Sequence, residues 1–323
     1  MKAAFYCVAD SRYFLGAVGL VNSLRLVGHR EPIYLLDCGL DDEQRRLLEG
    51  EVELVAAPAE APPWLRKTVA PLSRPAEVAV LVDADMVIAR PLDELIDRAA
   101  GGRVIAFRDR QQRFFSEWGD LLGLGTARPG PYVSSGLVFC GGSTGRRVLE
   151  LLDERQSRVD FELTFWRRNV RGYPFLYADQ DVLNAILATR EEPERVEALD
   201  HRLAATPPFR GLRIGDERTL RCAYRNGAEP YVIHQYVRKP WLEATYHGVY
   251  SRLLRRLLIA DDVAVRPPEA RIPLRMRTGA RARIERGRVN AIDFLRWHLG
   301  DRLPRPIATR VEDLRRLREK PSQ

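Results

Sequence analysis

Two aspartates separated only by Ala84, Asp83 and Asp85, close an apolar run of Val78, Val80, Leu81 and Val82 within Val78–Leu95. Such a run reads as a buried parallel strand, which tolerates charge only at its ends. Two carboxylates this close repel each other and cost free energy if left unpaired. A divalent cation relieves that repulsion, and the C-terminal edge of a strand is where open α/β sheets bind ligands. A solvated Asp-x-Asp turn is the bland alternative. Further on, Asp179-Gln180-Asp181 opens a predicted helix. Capping and the helix dipole account for one of those acids and leave the other acid and Gln180 unexplained. His234 closes a short predicted strand, Tyr231–His234, a setting in which a histidine is ordinarily structural. Lysine is scarce, 4 against 48 arginines, so Lys67 and Lys239 stand out.

The elements that must position these residues alternate. Strands are predicted at Ala3–Ala9, Glu31–Leu36, near Val52–Ala56, at the Asp-rich segment and at Arg103–Phe107. Helices are predicted at Phe14–Val27, Asp41–Leu48 and Asp93–Arg98. This alternation argues for an α/β fold with a mainly parallel sheet flanked by helices. After Gly119 the pattern turns irregular through Gly123, Gly125, Pro129, Gly130 and Pro131. A strand at Tyr132–Cys140 and helices at Gly145–Arg155 and Gln180–Thr189 follow. A Pro/Arg/Gly-rich stretch, Arg266–Arg288, is expected to separate the body from a segment at Val289–Leu299 and a terminal helix at Ala308–Lys320.

Composition sets outer bounds. The 323 residues are 45% hydrophobic and 30% charged, ordinary for a soluble globular protein. No apolar stretch reaches the roughly 18–20 residues that span a bilayer, and Met1–Phe14, interrupted by Asp10, reads as a first strand and not a secretory signal. Cys7, Cys38, Cys140 and Cys222 are widely spaced with no CxxC pair, which points to reduced thiols of a cytoplasmic protein. The net charge of +8 resides in the tail: residues 264–323 hold 16 basic against 7 acidic groups, the rest 36 against 37. The expected organisation is therefore a catalytic domain over 1–263 and a basic extension over 264–323.

In order along the chain, Ala9-Asp10-Ser11-Arg12-Tyr13, Asp83-Ala84-Asp85, Ser134-Ser135-Gly136-Leu137, Asp179-Gln180-Asp181-Val182-Leu183-Asn184 and His234-Gln235-Tyr236-Val237-Arg238-Lys239-Pro240-Trp241 form a set. Over Ala3–Tyr246 the chain resembles the GT-A glycosyltransferases, and among them the retaining family 8, which includes lipopolysaccharide galactosyltransferases and glycogenin. The resemblance implies a UDP-sugar donor held through Mn²⁺ or Mg²⁺ by Asp83, Asp85 and His234. An imidazole ligand tilts the preference toward Mn²⁺. It implies that Lys239 neutralises the leaving diphosphate, although the family's His-x-x-Gly-x-x-Lys is one residue shorter here and Val237 replaces its glycine. Asp179 and Gln180 are implied to face the transferred sugar, with Asp181 a second candidate. Ser134, Ser135 and Gly136 would line the sugar pocket, with Ser134 in place of the family's amide.

Ala9 closes the first strand and Asp10, Arg12 and Tyr13 follow it, so this segment faces the ligand crevice. An aspartate there can accept from a nucleobase N–H and a tyrosine can stack on the base, or Asp10 caps the following helix. Arg12 stands where the family has an asparagine. Arg66 and Lys67 match a basic position that contacts the donor; as an exposed helix pair they would need no explanation.

The expected chemistry is transfer of a hexose to a glycan, glycolipid or other acceptor, with retention by front-face attack. Acceptor contacts are expected in the loop Arg108–Tyr132, with Phe114, Phe115 and Trp118. The alternative is a catalytically inactive protein of the same fold that binds nucleotide sugars or serves as a scaffold. A nucleotidyltransferase would want a Gly-rich phosphate loop, which residues 9–16 lack. The basic tail beside Ile292, Phe294, Leu295, Trp297 and Leu299 fits peripheral attachment to an anionic membrane, on the inner face; a solvated end or a packed subdomain fits as well. No nucleic-acid reader motif accompanies the charge, so no nucleic-acid partner is expected.

Overall fold

The computed structural model describes residues 1–58, 66–190, 192–246 and 248–299, with 293–299 described as backbone only. The chain opens β1 (Ala3–Ala9), α1 (Phe14–Leu26), β2 (Ile33–Asp37), α2 (Asp42–Leu48) and β3 (Glu53–Ala56). It continues through α3 (Val69–Ser73), β4 (Val78–Val82), β5 (Met86–Ile88), α4 (Asp93–Ala100), β6 (Val104–Arg108) and α5 (Trp118–Leu122). Then come β7 (Val133–Gly141), α6 (Gly142–Gln156), α7 (Asp179–Ala188), β8 (Val196–Leu199) and β9 (Ala204–Ala205). β10 (Leu212–Asp216), β11 (Arg221–Tyr224), β12 (Val232–His234), α8 (Gly248–Ile259) and α9 (Gly279–Leu299) complete it.

Seven strands form the main sheet in the order β3-β2-β1-β4-β7-β6-β8. Only β7 runs against its neighbours; the other pairings are parallel. The period-2 alternation of side chains divides the core into two layers. Phe5, Cys7, Val78, Val80, Leu137 and Phe139 pack on one face, while Tyr6, Ala79, Leu81, Val138 and Cys140 pack on the other. Both faces are covered, which is why these strands read as continuous apolar runs.

The strand order places the site. From β1 the chain runs outward through β2 and β3, then returns to β4 on the other side of β1. That reversal opens a crevice beyond the C-terminal ends of β1 and β4, where Asp10 and Asp83 sit. Because β7 is antiparallel and Leu137 pairs with Val82, its first residues, Ser134–Gly136, arrive at the same edge. A second sheet, β5-β12-β9, adds the last part: His234 pairs with Met86 across antiparallel β12 and β5, beside Asp85.

The carboxyl-terminal region differs from its expected form. One helix starts at Gly279, inside the stretch read as a separator, because Ala280–Arg283 are strong helix formers and no proline falls between Pro273 and Pro304. Residues beyond 263 share the body's core through Val265, Ile272 and Met276. Asn22 of α1 seals that seam, donating from Nδ2 to the Val265 carbonyl at 2.7 Å and accepting from its N–H at 2.7 Å. Several arginines of this region are consumed by packing. Arg271 pairs with Asp41 at 2.9 Å and with Glu43, and Arg286 donates to the carbonyls of Arg275 and Arg277. The terminal helix expected at Ala308–Lys320 lies outside the described residues, as do the side chains of Phe294, Leu295, Trp297 and Leu299.

Candidate active site

Asp83, Asp85 and His234 each offer a ligand atom, and those atoms lie within 4.8 Å of one another. His234 Nε2 is 3.1 Å from Asp85 Oδ1 and 3.8 Å from Asp83 Oδ2. The backbone fixes them: Asp83 N–H donates to the Gly136 carbonyl at 2.9 Å and Gln235 N–H to the Asp85 carbonyl at 3.0 Å. A second cluster, His29, Glu31 and Asp93, has comparable spacing. There His29 Nδ1 lies 3.0 Å from Glu31 and Nε2 accepts from Leu92 N–H at 2.9 Å, so both ring nitrogens are engaged and the residue is a satisfied core histidine.

Two observations show that the first cluster suits a hard divalent cation. Asp85 Oδ1 is buried and has no hydrogen-bond partner among the described residues, although its neighbour is an imidazole nitrogen. An oxygen in that state is costly unless something completes it. Gly136 supplies the space. A Cβ there would lie 2.6 Å from Met86 Cε, 2.9 Å from His234 Cε1 and 3.1 Å from Asp83 Oδ2. Its backbone is not in the left-handed region, so glycine is needed here for room and not for conformation. Two carboxylates and an imidazole are a donor set suited to Mn²⁺.

Two lysines frame the cluster. Lys67 Nζ bridges Asp83 Oδ1 at 2.7 Å and Asp179 Oδ2 at 3.0 Å. Lys239 Nζ pairs with Asp85 Oδ2, donates to the Gln235 carbonyl, and sits 5.8 Å from the centre of the Tyr13 ring. Burial pushes the Asp85 carboxyl up, but His234 and Lys239 outweigh it and hold the group far below the usual carboxylate range. Burial raises Asp83, helped by the adjacent Asp85 charge and opposed by Lys67. Burial disfavours the charged Lys67, yet Asp179 and Asp83 overcome it and keep the ammonium protonated. The short His234–Lys239 spacing still delivers the amine. Val237 is exposed, and it is Arg238 that takes the left-handed backbone, at φ 47°.

Around this centre the remaining residues fall into place unevenly. Ala9 is buried, its carbonyl accepting from Cys38 N–H at 2.9 Å. Asp10 Oδ1 accepts from the N–H groups of Arg12 and Tyr13 at 2.9 and 3.0 Å, closing a turn ahead of α1 and not capping the helix, whose N-cap is Tyr13. The Arg12 carbonyl accepts from Trp241 Nε1 at 2.8 Å, and Trp241 meets the Tyr13 ring edge-on at 6.0 Å. Arg66 and Lys67 precede α3 and are not an exposed helix pair: Arg66 is buried and Lys67 is held by two carboxylates. Ser134 Oγ accepts from Gly136 N–H at 3.3 Å, and Ser135 N–H donates to Gln180 Oε1 at 3.2 Å.

The Asp179-Gln180-Asp181 triplet splits. Ala178 enters α7 at φ 45°, a strained left-handed setting for a residue with a Cβ, and it directs Asp179 toward Lys67. Gln180 Nε2 reaches Asp109 Oδ2 at 3.2 Å and the Tyr132 hydroxyl at 3.1 Å. Asp181 is fully buried and fully partnered. It takes Arg113 Nε at 3.0 Å, the Tyr132 hydroxyl at 2.7 Å and Tyr177 N–H at 2.7 Å. Its place is that of an anchor for the Arg108–Tyr132 loop, and burial raises its carboxyl despite those partners. Trp118, expected to meet an acceptor, is buried instead, donating to the Pro174 carbonyl at 2.9 Å. Asp109, Arg113 and Tyr132 were not anticipated; only their place in an irregular loop hinted at them.

The architecture is the GT-A fold. No protein-family model matches the chain, and no curated protein matches it in sequence. Solved structures do. The galactosyltransferase LgtC, solved in complex with donor and acceptor sugar analogs, superposes with a TM-score of 0.52 at 17% identity, covering 83% of this chain and 99% of its own. The apo bifunctional glycosyltransferase WbbM gives 0.51 at 16% identity, over 81% of this chain and 50% of its own. An active-site mutant of LgtC gives 0.51 at 17%, over 83% and 99%.

Proposed function

We propose that this chain is a metal-dependent glycosyltransferase that moves a hexose from a UDP-sugar to a glycan, glycolipid or related acceptor, with retention at the anomeric carbon. The observation that carries the reading is the convergence of Asp83, Asp85 and His234 within 4.8 Å, flanked by Lys67 and Lys239, at the reversal point of the sheet. Mn²⁺ or Mg²⁺ held by those three residues would supply charge for the donor diphosphate. Tyr13 offers a face to the uracil, and Lys239, already beside that ring, meets the negative charge that grows on the diphosphate as the sugar leaves. Gln180 and Asp179 would face the sugar, Gln180 held by Asp109 and Tyr132 of the loop that Asp181 anchors and Asp179 held by Lys67.

In front-face transfer the bond between the anomeric carbon and the phosphate oxygen breaks, its electron pair staying on the diphosphate. The acceptor oxygen bonds to that carbon from the same side and passes its proton to the departing phosphate. Asp83, Asp85 and Asp179 outnumber Lys67 and Lys239, so the held cation would supply the net positive charge that the leaving diphosphate needs. We also propose that the protein works in the cytoplasm on acceptors at the inner membrane face, the basic carboxyl-terminal region meeting anionic lipid.

The test is calorimetric titration of UDP with and without Mn²⁺, on the wild type and Asp85→Ala, followed by UDP release from a panel of UDP-sugars. Metal-dependent binding that the variant loses, with slow hydrolysis of one donor, is expected. UDP binding indifferent to metal and to Asp85 would sink the assignment, metal-dependent binding without release from any donor would point to a missing acceptor, and no binding at all would favour a non-catalytic protein.

A further inference from the structure

A cavity of about 350 Å³ opens beside the candidate active site, and arginine dominates its walls. Arg110 enters from the loop after β6, Arg202 from the turn after β8, Arg210 from the segment between β9 and β10, and Arg225 from the turn after β11. Arg202 is neutralised by Asp200 at 2.9 Å. Arg110, Arg210 and Arg225 have no carboxylate partner among the described residues, and the one hydrogen bond among them runs from Arg110 to the Pro207 carbonyl at 3.3 Å. Elsewhere in the chain guanidiniums are commonly matched, as Arg271 is by Asp41 and Glu43 and Arg113 is by Asp181. Three unmatched guanidiniums converging on one concavity make a strong attractor for an oxyanion, since the guanidinium fork suits phosphate and carboxylate alike.

Two independent routes tie this cavity to the site. Arg110 follows Asp109, whose carboxylate holds Gln180 Nε2 at 3.2 Å, so the two features are one residue apart, about 3.8 Å between Cα atoms. On the other side, β9 and β12 are parallel with Ala205 paired to Ile233. The next residues are Thr206, which lines the cavity, and His234 of the metal cluster. Neighbouring strands are roughly 4.8 Å apart. The wall also carries Tyr224 and Phe209, apolar faces against which a sugar ring can rest, and Phe209 is held at a strained φ of 53°.

We propose that this cavity is the acceptor subsite and that the acceptor carries an anionic group, a phosphate monoester or a carboxylate, which Arg110, Arg210 and Arg225 receive. The inference rests on the transferase reading above and adds the acceptor's chemical class. The anion would be drawn to the arginines while the rest of the acceptor extends toward Gln180. Arg210 and Arg225 are exposed and lie on turns, so replacing them spares the core.

The experiment titrates galactose, galactose 6-phosphate and glucuronate into the full chain, with Mn²⁺ and saturating UDP so that the metal cluster is already occupied. The wild type and the double variant Arg210→Gln/Arg225→Gln are compared, and UDP affinity is measured separately for both. One or both anionic sugars should bind at least tenfold more tightly than galactose, the better of them naming phosphate or carboxylate. The double variant should lose at least tenfold for that sugar with UDP affinity unchanged. Equal binding of galactose, no anion binding in the wild type, or wild-type anion affinity in the double variant each overturns the proposal. If anion binding behaves as expected but UDP does not bind with Mn²⁺, the donor reading fails and the acceptor role fails with it, leaving only an anion site.

Discussion

Replacing Gly136 by alanine tests the metal reading without touching any proposed ligand. The added Cβ would lie 2.9 Å from His234 Cε1 and 3.1 Å from Asp83 Oδ2, whereas unstrained contacts are roughly 3.5–4.0 Å. Two of the three ligands must therefore move by about half an ångström, more than the roughly 0.2 Å of distance error a good metal site tolerates. Displacements of this kind beside metal ligands lower affinity about 10–100-fold, or about 1.4–2.7 kcal/mol. Overpacking itself should cost about 1–3 kcal/mol of stability. The third close contact, 2.6 Å to Met86 Cε, is to the end of a flexible side chain that can turn away. Adding Met86→Ala to the variant should then recover none of the metal affinity and lower the stability further, because Met86 is a buried core residue. The assay is loss of the free-ion Mn²⁺ resonance on titration with the protein and UDP, beside thermal unfolding without metal. Wild-type Mn²⁺ affinity in Gly136→Ala, or its full recovery on removing Met86, would refute the idea that Gly136 makes room for the ion's ligands.

The two acids of α7 should separate. Asp181→Ala removes the buried carboxylate shared by Arg113 and the Tyr132 hydroxyl and should destabilise the protein by about 3–5 kcal/mol; Asp179→Asn should unfold near the wild-type temperature yet lose donor hydrolysis, and the reverse pattern would exchange their roles. Native thiol titration with a disulfide reagent at pH 8 should find Cys38 alone reacting quickly, with all four cysteines counted in denaturant, because Cys7, Cys140 and Cys222 are buried and burial pushes Cys140 and Cys222 up to about 12. Fast reaction of more than one thiol would contradict the packing of β1, β7 or β11, which carry the other three. For pH, burial raises Asp37, but Arg45 and the N–H groups of Leu40 and Gly39 more than reverse it and depress the carboxyl. A depressed acid stabilises the fold fully above its unfolded value of about 3.9 and loses that contribution as pH falls through its folded value. Asp37→Asn should thus cost on the order of 1 kcal/mol at pH 7 and little at pH 2; equal destabilisation at both would show that its charge is idle.

What the sequence disclosed was whatever its own periodicity or proximity encodes. The strand ending at Asp83 was legible because a two-sided buried strand leaves an unbroken apolar run, and a pair of acids at its end has few structural uses. His234 needed more, since its place beside Asp85 comes from β12 pairing with β5, nearly 150 residues earlier, and no local pattern carries that register. The family resemblance bridged the gap. Where neither periodicity nor resemblance reached, the reading failed in a consistent way. The exposed-helix alternative left open for Lys67, beside its match to a donor-contacting position, does not hold: the residue precedes α3 and joins Asp83 to Asp179. Trp118 was placed at the surface because its loop is rich in glycine and proline, yet Pro174 and Tyr132 enclose it. Arg113 and Tyr132 were missed altogether, although together they fix Asp181 and hence the attitude of Gln180. These residues share one property: each is the far partner of a buried charge or a buried polar group. A buried charge demands a partner, so the sequence announces that a partner exists, but the irregular loop that supplies it has no period from which to read its path. The clustered carboxylates Asp83 and Asp85 are legible for their chemistry, and the residues that aim the site are legible only from the fold.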